Sequence, residues 1–314
     1  MGVRAAVLHE HGSAPRFGEF DAPGPESGGI VIEVAAAGLH HLDLHKATGT
    51  FYSGPPPLPS VVGTDGVGAH DGRRVYFDAT VAPFGSMAER ALVPEESLFD
   101  VADGVDDATA AALGNTGLAA WLALAWRSGL QPGETVLVLG ANGAVGTIAV
   151  QAAKLLGAGR VIAAARADER LERQLDRGAD AIVDLDDEDD LAAAFRKAAG
   201  GEVHVTVDAL WGEPALAAMK AAARHARHVQ VGQLAGVEIT LPAPTIRSVS
   251  LDVRGFHVGH PPADVKREGY LRLTRHVARG EIVVDLERVP LEQVDSAWRR
   301  QQEGTGGTKL VLVP

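Results

Sequence analysis

Three glycines stand three residues apart in Glu134-Thr-Val-Leu-Val-Leu-Gly-Ala-Asn-Gly-Ala-Val-Gly146, directly after an unbroken apolar run. Glycine lets the backbone turn sharply and lets peptide amides approach a pyrophosphate, whose charge suits the N-terminus of a following helix. The spacing is GxxGxxG rather than GxGxxG. A tight turn in an α/β domain that binds no nucleotide is the plain alternative, but a position between an apolar strand and a helical stretch favours dinucleotide binding. Gly140, Asn142, Gly143, Ala144, Val145 and Gly146 are the candidate cofactor contacts. The next apolar run ends Ala163-Ala164-Ala165-Arg166, with Arg170 one helical turn later. No carboxylate stands at its tip to take a ribose 2′-hydroxyl, and Asp168 lies beyond it. A forked guanidinium suits a 2′-phosphate, so Arg166 and Arg170 favour NADPH over NADH. The alternative is that both are ordinary surface residues at a helix start.

A second group of side chains crowds a short stretch: His40, His41, His45 and Asp43, with Asp65 further on. Imidazole and carboxylate can bind zinc. The spacing is not diagnostic, and polar residues lining a cleft explain the group as well. The chain has no cysteine, which removes thiolate ligands, disulfides and a cysteine nucleophile and fits a cytoplasmic protein. Its net charge of −12, from 29 basic and 41 acidic residues, opposes nucleic-acid binding. The acidic run at 184–190 reads as a solvated loop leading into a helix whose N-terminus favours carboxylates.

These residues need elements to hold them. Short alternating apolar segments at 4–9, 29–37, 73–77 and 88–93, separated by Pro/Gly clusters, predict a β-rich first third. Helices are expected at 106–113 and 116–128. From 135 onward strands at 135–139, 160–165, 181–183, 203–209 and 228–231 alternate with helices at 144–156, 168–177, 189–199 and 213–223. That alternation predicts βαβ units on a parallel sheet. A strand at 251–256, a helix at 265–279 and strands at 281–286 and 309–313 close the chain. No apolar run approaches the ~20 residues of a membrane helix. The opening segment is too short and too strand-like for a signal peptide. With 314 residues, more than one compact unit is expected.

The segments 4–9 (RAAVLH), 34–45 (VAAAGLHHLDLH), 59–68 (PSVVGTDGVG), 133–146 and 304–313 (GTGGTKLVLV) together resemble the medium-chain dehydrogenase/reductase superfamily. The resemblance covers nearly the whole chain. It implies an α/β fold: a GroES-like β-rich catalytic domain at 1–113 and 255–314, and an inserted Rossmann domain with a doubly wound parallel sheet at 114–254, the active site lying in the cleft between them. Zinc enzymes of the superfamily hold the metal through Cys, His and a later Cys or Asp. Those positions read His40, Thr64 and the vicinity of Asn115 here, and Thr and Asn are poor zinc ligands. The structural-zinc cysteines are absent. The resemblance therefore points to the zinc-free, quinone-oxidoreductase-like branch, with no metal and commonly a homodimer, its partner strand being 251–256.

That branch moves hydride from the nicotinamide to a quinone or an α,β-unsaturated carbonyl, a small-molecule substrate, while the protein binds, orients and polarises. By resemblance Tyr52, in Thr50-Phe-Tyr-Ser-Gly54, is the hydrogen-bond or proton donor, against a plain packing role. His40 stands where quinone reductases carry Asn and is the alternative proton source. Thr116 is expected near the nicotinamide ribose, Gly232 and Gln233 near the nicotinamide, and Phe256 in the cleft lining, while Lys309 has a structural role. A zinc-independent alcohol dehydrogenase or carbonyl reductase, and a cofactor-binding protein without turnover, are the competing functions.

Overall fold

The computed structural model describes residues 2–24, 28–51, 54–187 and 189–314. The chain forms two compact units. One runs to Thr116 and resumes at Pro262; the other is Gly117–Pro261.

The unit Gly117–Pro261 is built on a six-stranded sheet in the spatial order Ala181–Asp184, Arg160–Ala165, Thr135–Leu139, Val203–Asp208, Ala222–Gln230, Asp252–Gly255, with every pairing parallel. Every residue of Thr135–Leu139 (TVLVL) is buried, as a central strand covered on both faces requires. The chain first moves outward from this strand to Arg160–Ala165 and Ala181–Asp184, then returns to its other side at Val203–Asp208. That reversal is a topological switch point, where α/β sheets bind ligands beyond the carboxyl ends of their strands. Helices Ala144–Leu155, Glu169–Asp176, Leu191–Ala199 and Gly212–Lys220 connect the strands.

The other unit is mostly antiparallel. Its larger sheet runs Leu286–Pro290, Lys309–Val313, Ile30–Gly38, Gly66–His70, Arg73–Phe77, Leu98–Asp100, with Arg90–Val93 also pairing Ile30–Gly38. A smaller sheet joins Arg16–Asp21, Gly2–Leu8 and Ser60–Val61. Leu8, Ile32, Phe77, Met87, Trp298 and Leu310 belong to its core.

Some elements differ from the pattern-based expectation. The strand expected at 281–286 lies instead at Leu286–Pro290. Residues before it close helix Ala263–Ala278: the amides of Gly280 and Glu281 donate to Val277 O and His276 O, and the Glu281 carboxylate meets His276 and Arg279. Ile282 is buried and Val283 is half exposed. The helix expected to reach 223 stops at Lys220, because Ala222 already pairs with Val203 in the sheet. Helix Val294–Glu303 was not anticipated; it buries Val294, Ala297, Trp298 and Gln301, one helical face.

The two helices expected at 106–113 and 116–128 are present, separated within Asp107–Leu122 by a non-helical kink at Gly114 (φ −45°, ψ −111°), and the second continues into a π-turn, Ala123–Ser128. By length and composition residues 107–128 could cross a membrane, contrary to the expectation that no run is long enough; among the described residues this is the one such helix. Most of it is buried within the protein, which accounts for its apolar character.

Candidate functional site

The glycine loop has the geometry its spacing predicts. Thr135–Leu139 runs into Gly140, which turns at φ +79°, and Gly143 caps helix Ala144–Leu155 from an extended conformation. Gly140 and Ala141 donate to Ala164 O on the neighbouring strand, and Gly143 donates back to Gly140 O at 3.0 Å. A Cβ on Gly146 would stand 2.2 Å from Gly140 O and 2.6 Å from Ala141 Cα, so only glycine lets the helix approach the loop this closely. The first amides of a helix lack intrahelical partners, and Ala144, Val145 and Gly146 supply them here. Such a cradle fits the pyrophosphate of a dinucleotide.

At the tip of Arg160–Ala165 the structure arranges charge differently from the sequence expectation. Arg166 is exposed and makes no ion pair among the described residues. Asp168 caps helix Glu169–Asp176; its Oδ1 accepts from the Arg170 amide and from Asn142 Nδ2, each at 2.9 Å. Its Oδ2 takes the Arg170 guanidinium, which holds the carboxyl below its ordinary range. Asn142 therefore ties the glycine loop to the strand tip, also donating to Arg166 O at 3.0 Å. Arg170 is engaged rather than free, paired with the Asp168 carboxylate. The signal was present in the sequence: an Asp before a short helix is a cap, and a cap holds its side chain at the strand tip.

Gly232 and Gln233 follow strand Ala222–Gln230. The Gly232 amide donates to Asp208 O at 3.1 Å, and its carbonyl accepts from Gln230 Nε2. Gln233 is exposed and Thr116 is buried. Phe256 is buried in the parallel-sheet unit, its ring 6.1 Å from that of Trp126. Tyr52 lies outside the described residues.

In the other unit His40 is the hub of a buried charged network. Its Nε2 lies 3.0 Å from Asp65 Oδ1. Its Nδ1 lies 3.1 Å from Asp43 Oδ2, close enough for charge attraction but without hydrogen-bond geometry. Asp65 Oδ2 accepts from the Tyr76 hydroxyl (3.0 Å) and from the Asn115 amide (2.7 Å). The break at Gly114 frees that amide, and a Cβ on Gly114 would lie 2.3 Å from Asp65 Oδ2. Thr64 donates to Asp43 Oδ1 and accepts from Lys46 Nζ. Buried Lys309 donates to Leu39 O at 2.8 Å. Burial pushes the Lys309 ammonium down to about 8, although Asp65 and Asp43 raise it. Burial also pushes the Asp65 carboxyl up, yet His40, Lys309 and the Asn115 amide outweigh it and hold Asp65 below its ordinary value. Although His41 is exposed, partial desolvation lowers its imidazole, with His45 and Lys309 adding to the effect.

Zinc does not fit here. Of the three ligand positions, Thr64 spends its hydroxyl on Asp43 and Lys46, Asn115 contributes a backbone amide to Asp65, and the His40 ring faces two carboxylates. Lys46 and Lys309 supply positive charge in the same network. Among the described residues no three His, Cys, Asp or Glu side chains converge as a metal site.

One unit carries a glycine loop on a parallel sheet and the other is β-rich, the pair of folds found in medium-chain oxidoreductases. Residues 144–274 match the zinc-binding dehydrogenase family. An alcohol dehydrogenase of Geobacillus stearothermophilus is 25% identical, over 99% of this chain and 98% of its own. A probable NADPH-dependent quinone reductase of Emericella nidulans is 28% identical over 96% of both chains. The crystal structure of a Pseudomonas syringae quinone oxidoreductase superposes with a TM-score of 0.87 at 26% identity, covering all of both chains. The chain carries a zinc-binding dehydrogenase domain of the medium-chain dehydrogenase/reductase superfamily at 144–274 and has quinone-oxidoreductase-like relatives. One of its units carries a parallel, Rossmann-like sheet and the other carries the antiparallel sheets.

Proposed function

We propose that the protein reduces a quinone or an α,β-unsaturated carbonyl with NADPH and without metal. The observation that carries this is the pairing of a formed dinucleotide loop, closed by Gly146 against Gly140, with a zinc-ligand set replaced by Thr64, Asn115 and a carboxylate-bound His40. When bound, the nicotinamide supplies the hydride. The amides of Ala144, Val145 and Gly146 hold the pyrophosphate, and Arg166 faces the adenosine end. Thr116, Gly232 and Gln233 are assigned to the nicotinamide end. Tyr52 donates a hydrogen bond or proton to the substrate oxygen, where negative charge develops. His40 remains the second proton source.

The quinone-reductase relative supports this substrate class and NADPH. The alcohol-dehydrogenase relative favours the second reading, a zinc-independent carbonyl reductase. Loss of nicotinamide absorbance with a panel of quinones, enones, aldehydes and ketones, with and without chelator, separates them. Chelator-insensitive turnover of quinones or enones is expected. Turnover of carbonyls alone establishes the second reading, and tight NADPH binding without turnover establishes a binding protein. Tyr52→Phe is expected to lower kcat by about 10²-fold, the usual scale of a lost general acid. Unchanged kcat removes Tyr52 from the mechanism.

A further inference from the structure

A buried Asp–His pair sits inside the parallel sheet and takes no part in the mechanism above. Asp208 ends strand Val203–Asp208, and His228 lies on the adjacent strand Ala222–Gln230. Both are at most 1% exposed, and His228 Nε2 is 2.9 Å from Asp208 Oδ2. His228 Nδ1 has no hydrogen-bond partner among the described residues. The tautomer with its proton on Nε2 therefore satisfies Asp208 and leaves no buried N–H without an acceptor. An aliphatic pair here would avoid the desolvation these groups suffer.

The rest of Asp208 explains what the pair holds. Its Oδ1 accepts the amides of Leu210 (2.8 Å) and Trp211 (2.9 Å), and its carbonyl accepts those of Val231 and Gly232. One residue thus anchors both loops at the carboxyl ends of the two strands. Trp211 is held at φ +58°, in the left-handed region unfavourable to a bulky side chain, with its ring edge-on to His228. The two loops also join each other: Ala235 N donates to Leu210 O at 2.8 Å. Leu210 packs on the glycine loop, its Cδ2 3.2 Å from where a Gly140 Cβ would stand.

We propose that Asp208 and His228 are a positioning pair: His228 fixes the Asp208 carboxylate, which sets residues 209–212 and 231–236 against the nicotinamide half of the cofactor, leaving the adenosine half to the strand tip at 165–170. The proposal rests on the nicotinamide reading above. Two variants separate positioning from simple support of the fold. His228→Met fills the volume without a donor, and His228→Gln keeps an amide donor for Asp208. Binding of NADPH is compared with that of 2′,5′-ADP, which lacks the nicotinamide. His228→Met is expected to weaken NADPH about tenfold, the worth of roughly one buried hydrogen bond, with 2′,5′-ADP unchanged and His228→Gln near wild type. Equal weakening of both ligands, or of neither, overturns the proposal. Hydrogen exchange on the wild-type protein tests it even where His228→Met does not fold. The amides of 209–212 and 231–236 are expected to gain protection with NADPH and not with 2′,5′-ADP; equal protection by both overturns it. Wild-type protein that binds neither NADPH nor NADH refutes the nicotinamide reading itself, and the positioning role falls with it.

Discussion

Two residues carry consequences out of proportion to their size. Gly146 has its helix pressed onto the first glycine of the loop, with 2.2 Å from a built Cβ to Gly140 O and backbone on every near side. No side chain can move aside, so the helix must. Gly146→Ala is expected to cost about 1–3 kcal/mol, as overpacking does, and to weaken NADPH at least tenfold by displacing the helix amides. Thermal unfolding and a fluorescence titration read the two effects; an alanine variant binding like wild type would show that the helix yields freely. Asp65 is the other. It accepts from His40, Tyr76 and the Asn115 amide while buried to 1% exposure. Asp65→Asn substitutes an N–H where acceptors are needed and removes the charge facing Lys309, so a loss of about 3–5 kcal/mol is expected in denaturant unfolding, the scale of breaking a buried ion pair. A loss under about 1 kcal/mol would mean the network is wet rather than buried.

At the scale of elements, the strand-tip turn is where the choice between cofactors is proposed to fall. Arg170 is bound to Asp168, and that pair is about one-third exposed, so a 2′-phosphate can recruit the guanidinium at little cost. The Asp168 carboxylate, however, repels the phosphate and suits a 2′-hydroxyl. Asp168→Asn keeps the cap oxygen and removes the charge; the ratio of NADPH to NADH affinity is expected to rise about tenfold. An unchanged ratio would place the adenosine end elsewhere. The glycine loop and the run of βαβ units were legible in the sequence because backbone demands fix residue types locally: buried TVLVL, then glycines where no Cβ fits. The role of Asp168 was less legible, because a cap and a ribose ligand look alike until Asn142 is placed. The Asp65 network was not legible as a network. Asp43, Thr64, Tyr76, Asn115 and Lys309 come from separated segments, and their charges make sense only once burial forces them to pair. The Asp208–His228 pair was hidden for the same reason, since one residue ends an apolar strand and the other interrupts a different one.

At the scale of the molecule, titration and assembly make the last two expectations. Lys309 is depressed from 10.5 to about 8 in the folded protein. Between about 8 and 10.5 the unfolded lysine holds a proton that the folded one has lost, so this group makes stability rise with pH across that window and is flat below it. Lys309→Met should remove that contribution, seen as a smaller slope of unfolding free energy over the window; the same slope in both proteins would mean the ammonium is not desolvated. Assembly follows from the sheet. Asp252–Gly255 pairs only with Ala222–Gln230 among the described residues, leaving its outer edge open. Val253 on that strand is 38% exposed, and Val237 and Leu234 in the same unit are about 70% exposed. An open edge with exposed apolar side chains invites strand pairing with a second copy, and pairing across a two-fold axis satisfies both edges at once. We expect a homodimer joined through Asp252–Gly255. Val253→Lys puts a charge on each facing edge, a device that blocks such pairing. Solution scattering should give twice the chain mass for the wild type and the single mass for the variant. A wild-type protein that stays monomeric as its concentration is raised would mean that this edge is covered by something other than its own copy.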